Sequence, residues 1–241
     1  MTESGPFSYS GTELDLFATA SHWKTYWSQV IDPYLGQRVL ELGAGIGANA
    51  RALRHRHLAR WLSVEPDAAM VGQIKESITR GELSPRHEAV CGTSLNLPQD
   101  EHFDTILYLD VLEHIRDDRA ELERVTRLLQ PGGHVVILAP AHNFLYTPFD
   151  RKIGHFRRYD KAMLRAIVPQ ELRIRRLHYL DSVGMLASLA NRLLLQSDSP
   201  SPGQIRFWDS VLVRMSRLVD PLTGFQLGKS IVCILDRPVH L

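Results

Sequence analysis

From Arg38 to Gly47 the chain reads as a short apolar strand, Arg38–Val39–Leu40–Glu41–Leu42, that breaks into Gly43–Ala44–Gly45–Ile46–Gly47. Glycine is required where the backbone must turn sharply and approach a bound ligand without a Cβ in the way. In an open α/β sheet, such a strand-to-helix turn lies at the strand's carboxyl end, where ligands bind. The neighbouring sequence continues the pattern. Arg60–Glu65, His87–Cys91, Phe103–Leu109 and His134–Ala139 read as further strands, with helices expected from Gly47 to about His55, after Pro66–Asp67, and from Asp117–Asp118 to Leu129. Strands alternating with helices at short spacing predict a mostly parallel sheet covered on both faces. With later strands near Leu172–Leu180 and Ile231–Leu235, the expectation is a doubly wound α/β fold around a seven-stranded sheet.

The remaining segments frame that core. Leu16, Phe17, Trp23, Tyr26, Trp27, Val30 and Ile31 form an apolar stripe at helical spacing, which predicts a helix from about Glu13 to Ile31 that Pro33 ends. After Pro140 come a loop, a helix near Lys161–Val168, and two apolar helices, Val183–Leu195 and Ile205–Val219, separated by the linker Asp198–Gly203. At 241 residues the chain is read as one domain in three parts: an N-terminal helical cap or lid (1–35), a cofactor-binding core (36–140) and an acceptor-side half (141–241).

Composition removes several classes. The net charge of +1 argues against a general nucleic-acid binder. No apolar run approaches the ~18 residues of a membrane span, so no stable membrane insertion is expected. Met1–Ser10 lacks a secretory pattern, and two cysteines, Cys91 and Cys233, suggest reduced core thiols without a structural zinc site. A cytoplasmic location and no metal follow as expectations. Basic residues do cluster locally: Arg151–Arg176 holds nine Lys or Arg against Asp160 and Glu171, which suits an anionic ligand or a solvated face.

Two carboxylates define the cofactor. Glu65 ends the second strand, where it can accept both hydroxyl hydrogens of an adenosine ribose. The dinucleotide fingerprint is Gly-x-Gly-x-x-Gly, with a pyrophosphate on the helix N-terminus. Here the third glycine comes one residue early, and Glu41 stands two residues before the first. A carboxylate aimed into the turn repels a pyrophosphate and suits the amine of a methionine moiety, which favours S-adenosylmethionine over NAD. Glu41–Gly47 resembles motif I of class I S-adenosylmethionine-dependent methyltransferases, and Val64–Glu65–Pro66–Asp67 resembles their second-strand acid motif. Phe103–His114 resembles their fourth-strand motif, and Leu128–Val136 the turn into the fifth strand. The resemblance implies cofactor contacts from Glu41, Gly43, Ala44, Gly45, Gly47, Glu65, Pro66, Leu109 and Asp110. The family often has an acid after the third strand; this chain has Gly92–Thr93–Ser94–Leu95–Asn96, which leaves Thr93, Ser94 or the Asn96 amide to meet the adenine.

On the acceptor side, neither the [DNS]-Pro-Pro-aromatic segment of base-nitrogen methyltransferases nor the double glutamate of arginine methyltransferases is found, which points by analogy to a small-molecule acceptor. Asp110 is expected beside the sulfonium, or as a cap of the next helix, and His114 beside it or as a structural partner. The segment from His142 to Tyr159 brings His, Arg and Tyr to a strand's carboxyl end, where acceptor recognition belongs. Pro140–Ala141–His142, Gly154–His155–Phe156–Arg157–Arg158–Tyr159 and Gly228–Lys229–Ser230 resemble a bacterial subgroup of the same class. His155 is the first choice of general base, because imidazole as a side chain suits proton transfer near neutral pH. Tyr146 can orient a hydroxyl, and Arg157 or Arg158 can pair with an anion. Each has a structural alternative: Arg158 as a tie to a neighbouring helix, His155 as a cap. The rival readings are a NAD-dependent oxidoreductase and a non-catalytic cofactor- or partner-binding protein, the latter through a stripe of Trp208, Leu212, Met215 and Val219. Gly224–Ser230 imitates a phosphate loop but precedes a strand, and His55–Arg56–His57 reads as a solvated helix end.

Overall fold

The computed structural model describes residues 17–53, 58–194 and 201–239. Tyr9, the start of the first helix, His55–His57, Leu195 and the first half of the 198–203 linker lie outside the described residues. Seven strands form one sheet: β1 (Arg38–Leu42), β2 (Arg60–Glu65), β3 (His87–Cys91), β4 (Phe103–Leu109), β5 (Leu129–Pro140), β6 (Arg173–Leu180) and β7 (Ser230–Asp236). Their order is β3-β2-β1-β4-β5-β7-β6. β7 runs antiparallel between β5 and β6, and the other pairings are parallel. The expected mostly parallel, seven-stranded sheet is therefore what the chain forms. The order reverses between β1 and β4, which opens a crevice beyond their carboxyl ends.

Side chains alternate across the strands and divide the core in two. Val39, Leu107, Leu109, Val136 and Leu138 face one layer, with Trp23 and Trp27 of α1 (Ser21–Ile31) and Ile74 of α3 (Ala68–Thr79). Leu40, Leu42, Ile106, Tyr108, Val135 and Ile137 face the other, with Leu122 and Val125 of α4 (Asp118–Leu128). The glycine turn leads into a short helix, α2 (Ala48–Ala52). Beyond β5 come α5 (Pro148–Lys152), α6 (Lys161–Ile167) and α7 (Ser182–Leu194). A last helical segment joins α8 (Pro202–Phe207) through a π turn at Trp208–Leu212 to α9 (Val213–Leu222).

One departure from the sequence expectation has a local cause. β5 begins at Leu129, ahead of Pro131–Gly132–Gly133 and not after it, because Leu129 already pairs with Phe103. A Cβ on Gly133 would lie 2.9 Å from the Asp104 carbonyl oxygen, so only glycine lets the strand pass there. α1 is tied to the last helical segment: the Asp209 carboxylate accepts from Trp23 N at 2.8 Å, and Tyr26 Oη donates to Asp220 at 2.7 Å.

Candidate active site

The cofactor end is built from the first turn. Gly43, Gly45 and Gly47 have φ of 66°, 55° and 74°, left-handed values that glycine adopts without strain. A Cβ on Gly43 would meet the Val111 side chain at 2.6 Å. The Glu65 carboxylate accepts from Gly45 N at 2.9 Å and Asp67 N at 3.0 Å, which ties the turn to the end of β2. Burial raises the Glu65 carboxyl, and these two backbone bonds oppose it. Asp67 caps α3 through Ala69 N at 2.8 Å.

Glu41 is 1% exposed. Its Oε2 accepts from Trp61 Nε1 at 3.1 Å and Ser63 Oγ at 3.4 Å, whereas Oε1 is buried without a partner. Burial pushes its carboxyl up to about 7, and the Trp61 and Ser63 hydrogen bonds oppose it. A half-satisfied buried carboxyl beside the glycine turn fits a cationic amine. Lys24 of α1 currently supplies positive charge there: burial lowers its ammonium, and Asp110 and Glu41 raise it. Two cavities lie in this half of the fold. One of about 340 Å³ lies between α1 and α2, lined by Ser21, Lys24, Ala48 and Arg51. The other, about 180 Å³, lies under the loop after β3, lined by Val64, Gly92, Thr93 and Asn96. Of the loop residues, Thr93 is exposed and caps Leu95 N at 3.3 Å. Ser94 is turned inward and donates to Glu121 at 2.6 Å. Ala44 and Leu109 are buried against the core, and Pro66 is half-buried at the start of the next loop.

Asp110 begins the acceptor end. It has a φ of 57°, an uncommon conformation for a non-glycine residue that turns the chain out of β4. Water reaches it, yet protein encloses it closely enough that burial raises its carboxyl. His155, Lys24, Lys229 and Arg158 act in the opposite direction. Asp110 is thus within electrostatic reach of charges from α1, the 142–159 segment and the residue before β7.

Asp150, 0% exposed, organises that segment. It accepts from His155 Nδ1 at 2.9 Å, from Arg158 Nε and Nη2 at 2.9 and 3.0 Å, and from Thr147 N at 2.8 Å. Burial works to raise its carboxyl, but His155 and Arg158 outweigh it and hold the group well below the usual carboxylate range. An ionised carboxylate only accepts, so the His155 Nδ1 carries the hydrogen of that bond and Nε2 is the ring nitrogen turned away from Asp150. That Nε2 lies 3.7 Å from Glu113 Oε1, too far for a hydrogen bond. Glu113 is fully buried with both oxygens unpartnered; burial and then Asp110 push its carboxyl well up. The His114 ring packs edge-on to His155 at 4.6 Å, and burial lowers it to about 4. Ligand atoms of Glu113, His114 and His155 lie within 4.8 Å of one another, a spacing a divalent cation can bridge. The positive charge of Arg158, which acts on Glu113, disfavours one.

The other expected residues divide by role. The Tyr146 hydroxyl donates to the His155 carbonyl at 2.7 Å, so it fixes the loop. Arg157 pairs with Asp118 and the Arg116 carbonyl on the outside. Arg158 is tied to Asp150 while its charge still acts on Asp110. Sequence reasoning missed Asp150 and Lys229. The Lys229 ammonium sits 3.8 Å over the Trp208 ring and 3.7 Å from Asp181, with burial lowering it. Asp181, fully buried at a φ of 68°, accepts from Trp208 Nε1 and Ser216 Oγ, both at 2.6 Å. The signal available in the sequence was the Gly228–Lys229–Ser230 triplet, where a Cβ on Gly228 would lie 2.1 Å from the Leu180 carbonyl oxygen.

The fold is the one that solved methyltransferases share, and the half that carries the glycine turn is the part of the chain that matches a methyltransferase family. Residues 40–137 match the family described as a methyltransferase domain. Over 102 residues the chain is 31% identical to the ubiquinone biosynthesis O-methyltransferase of Bradyrhizobium sp. (strain ORS 278), covering 42% of this chain and 39% of that one. It is 28% identical over 137 residues to the tRNA U34 carboxymethyltransferase of Citrifermentans bemidjiense, covering 55% and 41%. The chain thus spans about two fifths of the length of these curated relatives. Among solved structures, an N-methyltransferase of Bradyrhizobium japonicum in complex with S-adenosylhomocysteine superposes with a TM-score of 0.57 at 16% identity, over 90% of this chain and 86% of that one. The residues of the turn fit the cofactor: Glu41 and Asp110 offer negative charge to a cationic sulfonium and amine, and the glycines leave room for it.

Proposed function

We propose that the chain transfers the methyl group of S-adenosylmethionine to a small anionic acceptor. The observation that carries this reading is the buried Asp150 carboxylate that holds His155 and Arg158 together, with Asp110 at the end of β4 within electrostatic reach of both and of Lys229. When bound, the cofactor supplies an electrophilic methyl. The acceptor atom would take that carbon as the carbon–sulfur bond gave its electron pair to sulfur. His155 is the proposed base: Asp150 holds its Nδ1–H, and Nε2 takes the acceptor's proton as the bond forms. Arg158 and Lys229 hold the acceptor's anionic group, and Tyr146 keeps the His155 backbone in place. Holding nucleophile and methyl in line contributes as much to such a displacement as proton removal does.

The test is methyl-labelled cofactor with the full chain, offered hydroxylated carboxylates, phosphorylated metabolites and total tRNA in parallel. Label on a carboxylate or phosphate ester supports the proposal. Label on tRNA alone, as the name of one relative makes worth including, overturns the small-molecule acceptor.

A further inference from the structure

The helical segment from Pro202 to Leu222 presents a face that the active site does not use. Phe207, Val211, Met215, Leu218 and Leu222 are 57%, 39%, 48%, 74% and 86% exposed. Their spacing of i, i+4, i+8, i+11 and i+15 places them on one side of the helix. The opposite side, with Ile205, Trp208, Val213 and Ser216, is buried.

Charge is sorted across the same helix. Both acids point inward: Asp209 accepts from Trp23 N at 2.8 Å, and Asp220 from Asp181 N at 2.7 Å and Ser182 N at 3.0 Å. The bases point outward. Arg206 and Arg214 are exposed with no acidic partner among the described residues, and Arg217 donates to Gln29 at 3.0 Å on the rim. The outer surface is therefore apolar and cationic, without an exposed acid on the helix.

We infer that this face adsorbs to an anionic lipid surface, with the helix lying in the interface plane. Exposed apolar residues flanked by arginines are the pattern of interfacial helices, in which the stripe enters the acyl boundary and the arginines meet lipid phosphates. A second copy of the chain is a poorer match, since a two-fold contact would set the arginines against one another. No helix among the described residues is long and apolar enough to cross a membrane, so the contact is peripheral. The opposite side of the helix carries Trp208, whose ring lies 3.8 Å from the Lys229 ammonium.

Flotation of the full chain with vesicles tests this, comparing phosphatidylglycerol mixed with phosphatidylcholine against phosphatidylcholine alone. The chain is expected to float only with the anionic vesicles. Leu218→Glu/Leu222→Glu, and separately Arg206→Glu/Arg214→Glu, should each lower partitioning by ~10-fold or more. These side chains are exposed, so the variants should melt as wild type does. Absence of flotation, equal flotation with neutral vesicles, or variants that float like wild type overturn the inference. So does sedimentation showing a dimer that Leu218→Glu/Leu222→Glu dissociates. The readout needs no methyl acceptor, so it succeeds or fails independently of the proposed activity.

Discussion

Replacing Glu41 by glutamine separates its cost to the fold from its use to the cofactor. Its carboxyl ordinarily ionises at 4.5 and is pushed up to about 7 here, with burial the largest cause. Below pH 4.5 the folded and unfolded chains both hold the proton, and burial costs nothing extra. As pH rises towards 7 the unfolded chain releases its proton while the folded chain keeps it, so stability is lost across that window and levels off above it. A shift of this size amounts to about 3 kcal/mol at ~1.4 kcal/mol per pH unit, or roughly 6–12 °C in melting temperature for a chain of this length. Glutamine keeps the shape and removes the titration. Melting curves of wild type and Glu41→Gln between pH 4.5 and 8 should therefore diverge by that amount, wild type falling relative to the variant, because contributions from all other groups cancel in the difference. The same substitution should weaken S-adenosylmethionine binding by ~10-fold or more at pH 8, where the carboxylate is charged. Parallel melting curves would refute the titration argument, and unchanged cofactor affinity would refute the role assigned to the orphan Oε1.

His155→Ala should lower kcat by ~10²-fold with cofactor affinity near wild type, measured by turnover and calorimetry; normal turnover would make the residue structural. Lys229→Gln should mainly raise the acceptor KM, most for the acceptor carrying the greater negative charge, and an equal effect on a neutral acceptor would remove the anion-binding role. Asp220→Ala strips partners from Tyr26 Oη and from the Asp181 and Ser182 amides. At about 1–3 kcal/mol for each unpaired donor it should cost more than ~3 kcal/mol in chemical denaturation.

The half of the site built from consecutive residues was legible in the sequence. Gly43, Gly45, Gly47, Glu41 and Glu65 lie at the ends of two adjacent strands, and the strand periodicity itself carries them to one crevice. Asp110 was legible for the same reason, as the residue that follows β4. The acceptor half was legible only as a segment. His155 and Arg158 appeared as candidates, but that both hang on Asp150, five and eight residues earlier on α5, depends on a loop conformation no period encodes. Lys229 and Trp208 meet only because β7 inserts between β5 and β6, a pairing between distant parts of the chain. The N-terminal aromatics read as a lid or as core; their stripe fits both, and the anchors that hold α1, Asp209 and Asp220, come from α8–α9 more than 180 positions away.

Calorimetric titration of the full chain with S-adenosylmethionine and S-adenosylhomocysteine tests the central claim most directly. The account predicts one competitive site for both, and for Gly45→Val, which puts a branched side chain at a φ of 55° in the turn, a loss of affinity of ~10-fold or more with the fold intact by circular dichroism. Absence of binding by wild type, or wild-type affinity in Gly45→Val, would contradict it.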